Sequence, residues 1–268
     1  MTASLLSTAA VIFYLITWLL IRMRVRTQIK SGQIKQSKMY LLFWVVALVV
    51  HLLVLHYPLL LGKPLSLSFF SLASYVTWFI SLILFITTLG RKIESLALFV
   101  LPFTMLTIIL EVLLGRENGP LIDMKSGLGL HVFTSLLAYS LLMLASFQAL
   151  LLAFQNKQLR THKVSGLMKS LPSLEDMEHL LFRFINIGVV ILSIALLIGF
   201  YYLENLFGSH IAHKTILSII SWFIFSGLLL GRWKYGWRGR KAINFTLVGF
   251  AVLMLAFFGT KFVQEFVL

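Results

Sequence analysis

The chain contains no cysteine among its 268 residues. That excludes disulfides, thiolate nucleophiles, iron–sulfur ligation and any thioether to the chain itself. A metal or cofactor would have to be held by His, Met, carboxylate or backbone groups. Acid is scarce as well, with nine Asp and Glu against 23 Lys and Arg. Charge of either sign makes up only 12% of the residues, about half of what a soluble domain carries. Proline occurs five times, mostly in loops or near the ends of apolar runs. Pro102 falls inside a run and is expected to kink it. There is no Gly-rich phosphate loop, no H-E-x-x-H and no convincing Ser/His/Asp set, so no residue is assigned a catalytic role.

What the chain has instead is hydrophobic length. Fully 59% of it is apolar, in long uninterrupted runs of Leu, Ile, Val and Phe. Crossing ~30 Å of hydrocarbon takes ~20 residues of helix. Eight segments qualify, roughly 3–22, 39–62, 67–89, 96–114, 131–153, 184–206, 213–231 and 242–263. The expected fold is all-α, a polytopic membrane helix bundle of about eight transmembrane helices forming a single transmembrane domain over 1–268. The basic residues of the first run follow it, so it reads as a retained span rather than a cleaved leader.

A net charge of +14 would suit a nucleic-acid binder, but the basic residues sit in short clusters between spans. That is the pattern that orients membrane helices, and no nucleic-acid partner is expected. The loops after the first, third, fifth and seventh spans carry eighteen Lys and Arg against five on the other side. By the positive-inside rule the richer side is cytoplasmic, which leaves both termini periplasmic and agrees with an even span count. The one sizeable cytoplasmic loop, 154–183, contains "PSLEDMEHLLFRF", read as an amphipathic helix leading into the sixth span. Ser173 is placed to cap it, and Glu175 and Asp176 complement its N-terminal dipole.

Ionisable groups inside a bilayer are costly and are functional candidates by default. His162 and His179 fall in the cytoplasmic loop and read as solvated. His51 lies thirteen residues from Lys38, ~20 Å along the helix and past the midplane toward the outside. His131 opens the fifth span. His213 lies nineteen residues before Arg232, ~28 Å away and at the outer surface. His56 and His210 read as interfacial residues. Glu111 and Glu204 join this outer layer. Thr134, Ser135, Ala138, Ala145 and Ala149 form a small-residue stripe below His131, which favours close helix packing and turns His131 inward. A mid-span imidazole needs a partner, and His51 has the strongest claim to one. Two imidazoles from separate helices, walled by abundant Phe, suit haem iron better than zinc.

Several stretches carry a resemblance. "HKTILSIISWFIFSGLLLGRWKYGWRGRKAINFTLVGFAVLMLAFFGTKF" resembles the cytochrome c assembly membrane family, the haem-handling proteins of the CcsA and HemX type. "GLHVFTSLLAYSLLMLASFQALLLAF" and "INIGVVILSIALLIGFYY" are similar to that family's successive spans. "HYP", the length and the eight-span plan resemble its shorter branch in the bacterial inner membrane. The resemblance implies haem as cofactor, with His131 as an axial ligand and His51 or His213 as the second. In such a haem protein Glu111, Lys125 and Lys214 are expected to meet the propionates or to hydrogen-bond the ligands, and a membrane or periplasmic assembly partner is expected besides the lipid bilayer. The lyases of the family carry a Trp-rich external motif, a further histidine near the place of Leu230, and a last external histidine. This chain has none of these, so full haem-lyase activity is not expected. The competing expectation is a membrane scaffold or regulator that stabilises a partner complex without a cofactor.

Overall fold

Apolar surroundings offer the backbone no water, so a spanning segment must satisfy its own N–H and C=O groups, and helix is the local answer. A computed structural model describes residues 2–31, 38–62, 65–66, 68–90, 93–115, 121–122, 127–161, 171–202 and 212–262. Eight α-helices lie among them: α1 (Thr2–Ser31), α2 (Met39–Leu60), α3 (Phe69–Gly90), α4 (Glu94–Leu114), α5 (Gly127–Arg160), α6 (Leu174–Tyr202), α7 (Ala212–Tyr235) and α8 (Arg240–Met254). A π-helical turn, Leu255–Gly259, carries α8 onward, and the helical segment runs to Phe262. All eight are long and apolar enough to cross a membrane. Two two-residue strands, β1 (Leu65–Ser66) and β2 (Leu121–Ile122), form one two-stranded sheet.

Three helices depart from the boundaries read off the sequence. α1 continues through the basic stretch to Ser31. There Arg24 Nε lies 3.3 Å from Glu94 Oε1, Tyr40 donates its hydroxyl to the same oxygen at 2.8 Å, and the guanidinium sits over the Tyr40 ring. Tertiary partners therefore hold helix where the sequence suggested loop. α5 begins at Gly127, so His131 lies a turn inside the helix rather than at its start. The amphipathic lead-in and the sixth span are one continuous helix, α6, with Glu175 and Asp176 in its first turn.

Pro102 lies inside α4. Lacking an N–H, it leaves the carbonyl four residues earlier without its helical donor. That carbonyl, Leu98 O, accepts the indole N–H of Trp18 from α1 at 3.0 Å.

The chain divides into two compact units, Met1–Leu121 with Lys157–Ser173, and Ile122–Asn156 with Leu174–Leu268. In the first, α1 packs on α2 and α4, and α3 packs on α2 and α4. Tyr14, Trp44, Leu84 and Leu101 are fully buried there. Several of its polar groups are paired between helices, as a membrane interior favours. Trp44 Nε1 donates to Ser81 Oγ at 2.8 Å, Trp78 Nε1 to Leu48 O at 2.9 Å, and the Thr77 and Thr107 hydroxyls meet at 2.7 Å.

In the second unit α7 packs on α6 and α8. α5 and α6 meet at isolated glycines. A Cβ on Gly188 would strike Leu142, and one on Gly127 would enter the Tyr202 ring. Ala138, Ala145 and Ala149 of the predicted stripe are fully buried. Tyr139 is ringed by Phe250, Phe257 and Phe258 at centroid separations of 5.2–5.4 Å. α7 ends at Gly236, whose φ of 64° suits glycine and whose N–H bonds Arg232 O at 3.0 Å, a left-handed C-cap. Trp237 then folds back against Gly231, where no side chain would fit.

Candidate functional site

His131 stands on the face of α5 that meets α6. Its Nδ1 lies 2.9 Å from the carbonyl oxygen of Ala195. A carbonyl only accepts, so Nδ1 carries the hydrogen and Nε2 presents its lone pair. The ring edge packs on Gly199, one turn further along α6. A Cβ there would fall 2.8 Å from His131 Cε1 and 3.0 Å from Nδ1. Ala195 fixes the tautomer and Gly199 makes the space. Metal-ligating histidines are oriented in this way, with one nitrogen tied to protein and the other left to ligate. The donor set therefore fits an axial imidazole for haem iron.

His51 is fully buried at the centre of the first unit. Its Nδ1 lies 3.3 Å from the Tyr14 hydroxyl and its Nε2 lies 3.0 Å from Ser74 Oγ. Both ring nitrogens are engaged by protein, so ligation at His51 requires one of these bonds to open. Its partners belong to the first unit, those of His131 to the second. His213 is exposed in the first turn of α7. His56 bonds Leu52 O within its own helix at 3.1 Å, and its ring meets Tyr75 edge-on. His179 is exposed on α6, 3.7 Å from Glu175.

Glu111 of α4 lies in the first unit near Ser74 and Ser71 of α3, and its Oε2 is buried without a hydrogen-bond partner. Lys214 is half-buried near the start of α7, within electrostatic reach of Lys261, itself buried at the far end of the α8 segment. Leu230 faces outward, 60% exposed. Lys125, His162, Glu204 and His210 lie outside the described residues. Among the described residues no group of three or more His, Asp and Glu could hold a metal ion.

A cavity of about 430 Å³ in the second unit is bordered by Glu178, His179, Arg232 and Arg238. A neighbouring one of about 570 Å³ is bordered by Phe182, Asn186, Leu230 and Trp233. Both sit beside the first part of α6, toward the other end of that helix from Ala195 and Gly199. Between them Glu178 binds Arg232 and accepts the Gly239 N–H at 3.2 Å. This ties the start of α6 to the α7–α8 turn.

Sequence reasoning singled out His131 and His51 but not the groups that hold them. Ala195 acts through its backbone, which leaves no side-chain signal. Gly199 was readable only as an isolated glycine in an apolar helix, the kind that has a packing reason.

A family model described as cytochrome C assembly protein matches residues 39–268. The chain is similar to the inner membrane protein YpjD of Escherichia coli K12, with 31% identity over 234 residues that cover 86% of this chain and 88% of that one. It is also similar to cytochrome c biogenesis proteins CcsA. Identity is 26% over 196 residues for that of Guillardia theta, covering 66% of this chain and 64% of the relative. It is 28% over 191 residues for that of Prochlorococcus marinus, covering 63% and 59%. No solved structure matches the chain.

Proposed function

We propose that this chain, which belongs to the cytochrome c assembly protein family, binds haem with His131 as an axial ligand and holds it toward the periplasmic side. The protein is a multi-pass inner membrane protein related to cytochrome c biogenesis. The observation that carries the haem reading is the Nδ1–H of His131 committed to Ala195 O at 2.9 Å, which leaves Nε2 as the ligating atom. Haem, when bound, supplies an iron centre that accepts such a nitrogen. The chain's own part is to fix the imidazole in one tautomer and one orientation. His213, exposed on α7, is the simpler second ligand; His51 would first have to give up Ser74 or Tyr14. Leu230 in place of the lyases' further histidine supports haem handling without full lyase chemistry. The periplasmic assignment follows the loop charges.

The test is the absorption spectrum of the purified full chain, as isolated and after haem loading. The expected result is a Soret band that is lost or shifted in His131→Ala. A wild-type protein with no Soret band after loading would overturn the reading.

A second reading, a scaffold that stabilises a partner membrane complex without a cofactor, is favoured by His51, whose ring nitrogens already have protein partners. It expects a stable membrane partner in pull-downs, undiminished when His131 and His213 are replaced.

A further inference from the structure

At one end of the second unit two cavities share His179 and Arg232 on their borders. The first, about 430 Å³, is polar, with Glu175, Glu178 and Arg238 beside the shared pair. The second, about 570 Å³, is mainly apolar, with Phe182, Leu229, Leu230 and Trp233 around Asn186. Both volumes fall within the usual range of ligand sites. Glu175 and Phe182 are seven residues apart on α6, ~10 Å along its axis. A polar chamber thus gives way to an apolar slot over the thickness of a headgroup layer. Loop charge puts this end at the cytoplasmic boundary, and the exposed rings of Trp233 and Tyr235 suit that interface. Leu230 leaves 60% of its surface open there. A small soluble anion would have no use for such a slot, whereas an acyl chain would fill it.

The charges on the polar chamber are balanced, with two guanidiniums against two carboxylates. Glu178 is already spent, because it binds Arg232 and accepts the Gly239 N–H at 3.2 Å. Arg232 is spent with it, donating also to Trp237 O at 3.3 Å and lying over the Phe182 ring. Arg238 and Glu175 remain. Arg238 is exposed and forms no ion pair with a described residue. Glu175 is exposed and lies 3.7 Å from His179, a contact that pairs charges only when the imidazole is protonated. One chamber therefore presents one cation and one anion to its contents.

We propose that these two cavities bind a phospholipid whose headgroup carries both a phosphodiester and a primary ammonium, as in phosphatidylethanolamine. Arg238 takes the phosphate, for which a guanidinium is the matching donor. Glu175 accepts from the ammonium. The Asn186 amide is placed at the level of the ester carbonyls and can donate to one. Phe182, Leu229, Leu230 and Trp233 line the start of an acyl chain. Basic pockets between spans on the cytoplasmic side suit anionic lipids in general. Here the carboxylate of Glu175 selects instead for the lipid that brings a cation of its own. Bound in this way, the lipid bridges the start of α6 and the α7–α8 turn beside the bond that Glu178 makes to Arg232.

The experiment is native mass spectrometry of the full chain in mild detergent. The chain is first equilibrated with equal amounts of phosphatidylethanolamine, phosphatidylglycerol and phosphatidylcholine of matched acyl chains. The wild type is expected to retain one phosphatidylethanolamine in preference to the other two, since glycerol has no charge and choline no N–H to donate. Loss of a charge-assisted bond corresponds to about tenfold in affinity or more. Arg238→Gln should lower retention of phosphatidylethanolamine by about that factor. Glu175→Gln should lower the preference for phosphatidylethanolamine over phosphatidylglycerol to a similar extent. Both residues are exposed, so neither change threatens the fold. Arg22→Gln removes an exposed cation of the first unit and should alter neither quantity. A wild type that retains either other lipid as well as phosphatidylethanolamine overturns the proposal, and so does a wild-type preference in Glu175→Gln. Ala195 and Gly199 lie toward the other end of α6, so either failure leaves the His131 reading untouched.

Discussion

Trp18 completes a hydrogen bond that Pro102 takes away from Leu98. The indole N–H reaches Leu98 O at 3.0 Å across the α1–α4 contact. Removing one partner strands a buried carbonyl, at about 1–3 kcal/mol. Trp18→Phe should therefore destabilise the chain by about that amount in detergent unfolding titrations. In a Pro102→Ala background the helix regains its own donor, and the same substitution should cost distinctly less. Equal costs in the two backgrounds would mean that the bond contributes nothing.

The cradle under His131 makes a separate forecast. Gly199→Ala would push a methyl group into the imidazole, so haem loading should fall toward the His131→Ala level while the helix content stays constant. Gly188→Ala crowds Leu142 and Leu141 rather than the imidazole and should leave the haem spectrum as it is. A Gly199→Ala protein with a wild-type spectrum would remove Gly199 from the account.

At the α7–α8 turn, Gly236 and Gly239 have φ of 64° and 60°. An L side chain held in the left-handed region costs roughly 1–2 kcal/mol. Gly236→Ala should lower stability by that much. Glu178→Gln weakens the bonds to Arg232 and to the Gly239 N–H, and a lost charge-assisted bond costs about 1.5–3 kcal/mol. Because both changes loosen one turn, the double variant should cost less than the sum.

Since the chain lacks cysteine, orientation can be read with single introduced thiols. Leu61→Cys, exposed after α2, should react with a membrane-impermeant maleimide in intact cells. Thr161→Cys, exposed after α5, should react only after permeabilisation. The reverse pattern would invert the assignment of the two faces.

The spans were legible because bilayer thickness imposes a length that one sequence displays by itself. Their ends were less so. Arg24 and Arg26 looked like loop, and the helix persists there because Glu94 and Tyr40, far along the chain, receive Arg24. His51 was visible as a group that needs a partner, but Tyr14 and Ser74 come from helices whose faces a single sequence does not align. Glu111 was flagged as an outer-layer acid, but the nearness of Ser74 and Ser71 of α3 depends on helix faces that a single sequence does not align. The GWRGRKA stretch lies within the longest run that carries the resemblance. Its structural sense lies in two left-handed glycines and a tryptophan folded onto a third glycine.

The wider turn at Leu255–Gly259 sets the phase of everything after it. One surplus residue amounts to about 100° of helical rotation. Within this turn Phe257 and Phe258 both meet Tyr139, and just beyond it the Lys261 side chain is buried. Excising a single residue there would keep the span long enough to cross the bilayer. It would also rotate Lys261 by about 100°, so the segment up to Phe262 should tolerate substitution far better than a change of length.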